Sequence, residues 1–480
     1  MERDTTLFYI PISRHNKVSP IYKQIYQWFQ QEILSGRLSA NTQLPSKRSL
    51  AETLSVSQNS VLAAYMQLNA EGYIYTSERR GYFVERLEPL SLGSPSLQAA
   101  PGPAPQTTPD YLYSFSHMSV DASRFPFKQW RKAEQEAVEM NIDAWCDIDY
   151  PAGAPRLRTA ISYSVRQMRG VECQPNQIII GASTQILLQL LIHLFGSARS
   201  YALEDPGYQR IRLLLEKSNQ YTELLPVDRY GLQTGMLKKT AVNTAIVTPS
   251  HQMPLGSIMP ISRRIQLLNW CYEQKDRYII EDDYDSEFRY EGDMIPALQS
   301  LDKHDRVVYM GTYSKSLLPG LRISYMVLPS SLAALFHEKG SHLIQTASSL
   351  HQQTLAHFIE NGEYRKHIRR MSRHYGEVRE LLIYEIHKVF GSLASIQGEK
   401  SGLHFLLHVQ TNEPLRLILN RAVSNGLELY GMDRFMKYPE GAPPTLVIGF
   451  ARLEKDHLPE AVRILYRTCF PSLEGGGRQP

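Results

Sequence analysis

The 480-residue chain reads as an α/β protein in two parts, a small helical unit closed by a hairpin and a much larger domain joined to it by a linker. Three observations lead there. Residues 20–84 carry apolar positions at helical spacing and then two short strand-like runs. Residues 86–112 are crowded with Pro, Gly, Ser and Ala, with only scattered leucines among them. Beyond them, apolar runs such as Ile178-Ile-Ile-Gly181 and Tyr278-Ile-Ile-Glu-Asp-Asp283 lead into small or acidic residues. The expected divisions are therefore 1–85, 86–112 and 113–480.

In the first part, Pro20 opens a helix whose apolar positions Ile21, Ile25, Phe29 and Ile33 recur every four residues, and Gly36 can stop it. Ser46 caps a short helix bearing Leu50, Ala51 and Leu54. Ser57 caps a third, with Val61, Ala64, Tyr65 and Leu68 on one face and an end near Gly72. Tyr73-Ile-Tyr-Thr-Ser77 and Gly81-Tyr-Phe-Val84 flank Glu78-Arg79-Arg80, the pattern of two strands around a charged loop. Helix, helix, turn, helix, wing is the result. Lys47 and Arg48 begin the second helix, Gln58, Asn59 and Ser60 the third, and Arg79 and Arg80 tip the wing, where such a unit meets phosphates and base edges. Residues 1–85 hold nine Lys/Arg against seven Asp/Glu, so position and not bulk charge carries the DNA-binding reading.

This segment closely resembles the GntR-type winged helix. Leu44-Pro-Ser-Lys-Arg-Ser-Leu-Ala51 and Val56-Ser-Gln-Asn-Ser-Val61 match its two signature runs, and Glu71-Gly-Tyr73 with Arg80-Gly-Tyr-Phe-Val84 its wing. The resemblance implies that Lys47, Arg48, Ser57, Gln58, Asn59 and Ser60 face double-stranded promoter DNA, and that Gly81 lets the wing carry Arg80 into the minor groove. Gln58 stands where many members carry arginine. Arginine favours guanine and glutamine adenine, so the operator is expected to differ at that base.

The linker, as a coil of about 25 residues, spans roughly 25 to 30 Å, and more where prolines stiffen it. For the chain as a whole, 42% apolar content fits a folded protein, and the net charge is only +4. Cys146, Cys173, Cys271 and Cys469 form no Cys-x-x-Cys pair, which argues against a disulfide framework and a zinc site. Met1-Glu-Arg-Asp-Thr5 has no apolar signal region, and the apolar segment 186–195 is too short to span a bilayer, so a cytoplasmic protein without a membrane partner is expected.

The larger part is organised around Lys315. An apolar run from Arg306 to Met310 enters a Gly/Thr/Ser turn, then Lys315, then Arg322, while Asp282 and Tyr284 close a second run upstream. That set suits pyridoxal 5'-phosphate (PLP). A lysine amine can form a Schiff base with its aldehyde, an acid can hold the pyridine nitrogen protonated, and hydroxyls with an arginine can bind phosphate.

These residues resemble the fold type I, aspartate aminotransferase-like PLP enzymes, and the resemblance extends from Tyr113 over nearly all of the remainder. It implies a mostly parallel sheet with a smaller C-terminal α+β subdomain from about residue 345. By the same resemblance Lys315 is the Schiff-base lysine, Asp282 pairs with the pyridinium nitrogen and Tyr284 donates to the phenolic oxygen. Thr312, Ser314 and Arg322 bind phosphate, joined by Ala182, Ser183 and Thr184 at a helix start. Glu204-Asp-Pro-Gly-Tyr208 points to Tyr208 as the ring that stacks on the cofactor. Thr248-Pro-Ser-His-Gln-Met-Pro-Leu-Gly256 replaces the usual asparagine loop, which leaves open whether His251 or Gln252 reaches the cofactor oxygen. Val447 stands where these enzymes place a carboxylate-binding arginine. Arg434 is the favoured substitute over Arg452, with Arg210 as a second cation.

A GntR-like winged helix, a linker and an aminotransferase-like domain in one chain resemble the MocR subfamily of bacterial regulators. The stretches 248–252, 262–270, 280–288 and 314–329 look close to a member that responds to γ-aminobutyrate (GABA). This implies a head-to-tail, domain-swapped homodimer, with PLP on Lys315 and an amino acid effector, GABA in expectation, that displaces the lysine as an external aldimine. The alternative is a working aminotransferase with an accessory N-terminal unit.

Overall fold

In the computed structural model the chain divides into two compact units, Met1–Gln106 and Thr107–Pro480. The structure describes residues 10–13, 19–88, 110–140, 150–196, 199–290, 292, 295–340, 342–437 and 444–471. The division falls within the expected linker, of which 89–109 lie outside the described residues.

The first unit contains α1 (Ile21–Leu34), α2 (Lys47–Leu54), α3 (Gln58–Ala70) and the antiparallel pair β1 (Ile74–Ser77) and β2 (Gly81–Val84). The caps act as their sequences suggest: Ser46 Oγ accepts from the Ser49 amide and Ser57 Oγ from the Ser60 amide, each at 3.1 Å. Between α2 and α3, Ser55 adopts a left-handed conformation that turns the chain. Ile25, Phe29, Ile33, Val61, Ala64, Tyr65 and Leu68 form one core face, and the Tyr65 hydroxyl finds the Pro45 carbonyl at 3.0 Å. Gly81 opens β2 at φ +107°, a conformation that favours glycine. This is the expected winged helix-turn-helix.

The second unit is built on an eight-stranded sheet. Its order is β4 (Ile178–Gly181), β11 (Ser324–Val327), β10 (Val307–Thr312), β9 (Tyr278–Asp283), β8 (Thr244–Val247), β5 (Ser200–Asp205), β6 (Tyr221–Asp228) and β7 (Gly231–Leu232). The pairs from β10 through β6 are parallel, β11 runs antiparallel to both neighbours, and β7 closes an edge hairpin. Strands β4, β8 and β9 are buried along their whole length, which is why β4, β8 and the first half of β9 read as near-continuous apolar runs instead of alternating ones.

A second, antiparallel sheet of β12 (Ala394–Gln397), β13 (His404–Val409), β16 (Thr445–Gly449) and β15 (Tyr430–Gly431) follows the long helix Glu363–Phe390. It forms the smaller C-terminal part. That part also takes in residues far upstream, because β3 (Tyr113–Ser114) pairs in parallel with β14 (Leu427–Glu428). Among the described residues no helix is long and apolar enough to cross a membrane.

Candidate cofactor site

The parallel strands β5, β8, β9 and β10 present their C-terminal ends on one side of the sheet, the side where open α/β sheets place ligands. A cavity of about 190 Å³ lies there, and Lys315, Asp282, Tyr284, Tyr208, Arg210 and Arg322 all line it. Residues separated by more than a hundred positions thus meet around one space.

Strand β9 sorts its three acids by face, because side chains alternate along a strand. Glu281 accepts backbone N–H groups from Leu298 and Gln299 at 2.8 and 2.9 Å. Asp283 takes the Arg169 guanidinium at 2.8 Å and the Tyr309 hydroxyl at 2.6 Å, with both members of the ion pair almost fully enclosed. Asp282, between them, faces the cavity, and its Oδ1 is buried with no hydrogen-bond partner among the described residues. Burial first, then the nearby Asp283, Glu204 and Asp285 carboxylates, push its carboxyl up to about 7. An acceptor so placed fits a protonated ring nitrogen, which would supply both the missing donor and a compensating positive charge.

Lys315 follows the end of β10. Desolvation of its amine lowers the proton affinity to about 8 although Asp285 opposes the shift, so an appreciable share of a nucleophilic free amine exists near neutrality. In this structure Nζ donates to the backbone carbonyl of His117.

The cavity also gathers groups of the kind that suit an anion. Register sets Thr312 beside Ser324 and Ser324 beside Gly181 across three strands. The Ser324 hydroxyl donates to Thr312 Oγ1 at 2.9 Å, as does the Ser314 amide at 3.2 Å. Past Gly181, Ser183 caps α6 (Thr184–Phe195) by accepting from the Ile186 amide, and Thr184 and Gln185 at its first turn line the cavity with Arg322. The first amides of a helix lack intrahelical partners, which suits a phosphate dianion.

Some expected residues lie elsewhere. Ala182 is outside the lining, and its amide donates to Thr346 Oγ1 at 3.1 Å. Neither His251 nor Gln252 lines the cavity: Gln252 turns its amide onto Glu204, Pro206 and Met253, and His251 sits behind Tyr284, 3.0 Å from its hydroxyl. Arg434 is also outside the lining, its guanidinium 4.4 Å from the centre of the Tyr430 ring, whereas Arg210 does line the cavity. Arg452 borders a different cavity, near Asp110 and Tyr113. Val447 is fully buried in an apolar cluster with Met253, Leu406, Met432 and Phe435.

Seven lining residues were not named as site residues from the sequence: His117, Met118, Gln185, Thr248, Met253, Ser324 and His404. Ser324 carried a signal, since strand β11 directly follows Arg322. Burial first, then nearby cations, lowers His117 to about 2, and burial with His251 lowers His404 to about 3, so both rings are neutral at physiological pH. His251, Asp285 and His404 bring possible metal-ligand atoms within 4.8 Å of one another, a cluster the sequence did not suggest. Each already has a protein partner: His251 on Asp285, Asp285 also on the Leu403 amide, and His404 on the Pro254 carbonyl at 3.1 Å.

In the first unit Lys47, Arg48, Ser57, Gln58, Asn59, Arg80 and Gly81 are exposed, with Ser60 half-buried beneath its cap. The Arg48 guanidinium rests 3.0 Å from Glu52. The Arg80 carbonyl accepts from Gln43 Nε2 at 2.6 Å, which ties the wing to the segment before α2.

Comparison with known proteins agrees with both halves. Residues 21–84 match the bacterial regulatory proteins of the gntR family, and residues 114–420 match the aminotransferases of class I and II. An uncharacterised HTH-type transcriptional regulator of Bacillus subtilis, YdeL, is 41% identical over 93% of this chain and 96% of its own. The probable rhizopine catabolism regulatory protein MocR of Rhizobium meliloti is 32% identical over 96% of each chain. Among solved structures, the multiple substrate aminotransferase of Thermococcus profundus superposes with a TM-score of 0.68 at 22% identity, covering 77% of this chain and 93% of the enzyme. LysN of Thermus thermophilus, complexed with N-(5'-phosphopyridoxyl)-L-leucine, gives 0.67 over 76% of this chain and 93% of its own. The residues around the cavity fit the cofactor of that fold, PLP. The chain therefore belongs to the MocR-type transcriptional regulators, in which a GntR-family DNA-binding unit precedes a PLP-dependent aminotransferase-like domain.

Proposed function

We propose that this regulator senses a small amino acid, with GABA as the expected effector, and passes the event to promoter DNA as a homodimer whose DNA-binding units cross to the partner's body. One observation carries the reading: the acceptor for the Lys315 amine is the carbonyl of His117, in the segment that continues the linker. Four residues upstream, β3 is zipped to β14 of the smaller C-terminal part. Glu428 of β14 accepts from the Ser114 hydroxyl and, at 2.6 Å, from Tyr430, the ring under Arg434.

When bound, PLP supplies an aldehyde reactive toward primary amines. The chain's own residues do the rest. Asp282 holds the proton at the ring nitrogen, Thr312, Ser314, Ser324, Arg322 and the start of α6 hold the phosphate, and Arg210 offers a cation to the effector carboxylate. A Lys315 engaged with the cofactor withdraws the donor from the His117 carbonyl, and a displaced Lys315 returns it. An effector that exchanges with the lysine thus changes a bond to the segment leading to the DNA-binding unit, which is the differential contact that a shift between two states requires. Arg434 lies over the Tyr430 ring, whose centre is 5.4 Å from that of the cavity-lining His117, so recruitment of its segment toward an effector carboxylate is the accompanying movement.

Relatives are named for processes as different as rhizopine catabolism and pyridoxine biosynthesis, so the effector must be read from the cavity. Titrating the visible spectrum of the PLP-bound protein with GABA and with α- and β-amino acids tests that reading. GABA should perturb the spectrum at the lowest concentration, and a preference for α-amino acids would refute it. The second reading, a working aminotransferase, draws on the full set Lys315, Asp282 and Tyr284 in the lining. Val447 in an apolar cluster speaks against efficient turnover. Repeated turnover with a 2-oxo acid, without DNA binding, would reverse the ranking.

A further inference from the structure

We propose that His251, held by Asp285, fixes the Tyr284 phenol as a hydrogen-bond donor into the cavity, which makes His251 and Asp285 positioning residues for the cofactor. This rests on Tyr284 facing the cofactor's phenolic oxygen, the role given to it above.

The argument is one of proton counting. His251 Nδ1 lies 3.0 Å from both carboxylate oxygens of Asp285 and 3.0 Å from the Tyr284 hydroxyl. An ionised carboxylate can only accept, so the hydrogen sits on Nδ1, in the neutral ring as in the charged one. Asp285 is ionised: burial raises its carboxyl, but His251, followed by His404 and Lys315, outweighs burial and holds it below the usual range. The Tyr284 oxygen, at the same distance from that N–H, is then an acceptor toward His251. A phenol has a single hydrogen, and with His251 unable to take it, it is left for the cavity that Tyr284 lines. Burial, together with the Asp285, Asp282, Glu204 and Asp283 carboxylates around it, keeps Tyr284 in its protonated phenol form.

The surroundings hold the ring in place. His251 and Asp285 are each 2% exposed, and the Leu403 amide donates to Asp285 Oδ2 at 3.3 Å. A Cβ built at position 402 would lie 2.1 Å from His251 Cε1, so Gly402 leaves room for this ring position and for no side chain behind it. The loop departure from asparagine thus acquires a purpose, since the histidine acts through Tyr284 instead of touching the cofactor.

The test is a double-mutant cycle in the full-length protein with PLP bound, read as the pH midpoint of the cofactor's visible absorbance band. Tyr284→Phe removes a donor that favours the anionic phenolic oxygen and should raise the midpoint by about one pH unit. His251→Leu should raise it in the same direction, and the pair no further than Tyr284→Phe alone. Asp285→Asn, which keeps size and a hydrogen-bonding side chain, should reproduce the His251→Leu shift and serves if the leucine variant does not fold. A His251→Leu shift that adds in full to that of Tyr284→Phe, or wild-type midpoints in both relay variants while Tyr284→Phe moves, overturns the relay. No shift in Tyr284→Phe overturns the assignment of Tyr284 itself, and the relay with it.

Discussion

Two arginines, one in each unit, make ion pairs of similar length in opposite surroundings. Arg48 meets Glu52 at 3.0 Å with side-chain exposures of 79% and 67%, whereas Arg169 meets Asp283 at 2.8 Å with 5% and 2%. Water screens the first pair, so it costs little to exchange Glu52 for a DNA phosphate. Removing one partner of the second would strand a charge in the protein interior. The contrast separates the two functional surfaces as a whole: the DNA-binding unit offers exposed, interchangeable groups, while the cofactor cavity works through charges that burial has fixed in place.

The largest expected effect breaks the buried side of this contrast. Arg169→Met should destabilise the aminotransferase-like unit by roughly 3–5 kcal/mol, because Asp283 would be left enclosed with only Tyr309 as a donor. Separate thermal transitions of the two units would show it, with the winged helix unmoved. An unchanged transition of the larger unit would place Asp283 in contact with water.

Asp282 comes next, and here stability and binding should part. Its carboxyl sits at about 7 when folded against an ordinary 3.8, so the folded state binds the proton more tightly. Cofactor-free stability is then full below about pH 4 and is lost as pH rises toward about 7. Asp282→Asn removes that loss: without PLP the variant should melt above wild type at about pH 8, with no such gain at about pH 4. PLP affinity should fall by on the order of 10- to 100-fold. A variant that binds PLP as well as wild type would remove Asp282 from the site.

How much of this was legible in sequence follows the same division. Lys315, Asp282, Tyr284 and Arg322 could be singled out because they stand in short runs that resemble the fold type I enzymes, and all four line the one cavity. The caps Ser46 and Ser57 could be read because capping is local. The partner of Asp283 lies 114 residues away, and no spacing rule reaches that far. His117 escaped because it follows the linker in a stretch without periodicity. Arg434 illustrates another limit, since a sequence gives a guanidinium but not its direction, and here it turns onto Tyr430. His251 was singled out, but only the fold shows that it stands behind Tyr284 and not beside it.

Two smaller effects probe the exposed side. Ser57→Ala should destabilise the winged helix by about 1 kcal/mol through the lost cap, with PLP binding unchanged. A calorimetric scan that resolves the two transitions reads this loss, and an unmoved winged-helix transition would contradict it. Arg48→Ala should leave both thermal transitions within about 0.5 kcal/mol of wild type. It should weaken DNA binding several-fold and reduce the salt dependence of log affinity by about one phosphate contact. A salt slope identical to wild type would place Arg48 away from the backbone.

The central claim is that the lysine's bond to the cofactor governs DNA binding. It is tested most directly by measuring affinity for a fragment of the protein's own upstream region, with PLP present and GABA absent or saturating, in wild type and in Lys315→Ala. The account predicts that GABA shifts wild-type affinity or footprint and leaves Lys315→Ala unresponsive. An equal response in both proteins, or none in either while GABA still perturbs the wild-type spectrum, would contradict it.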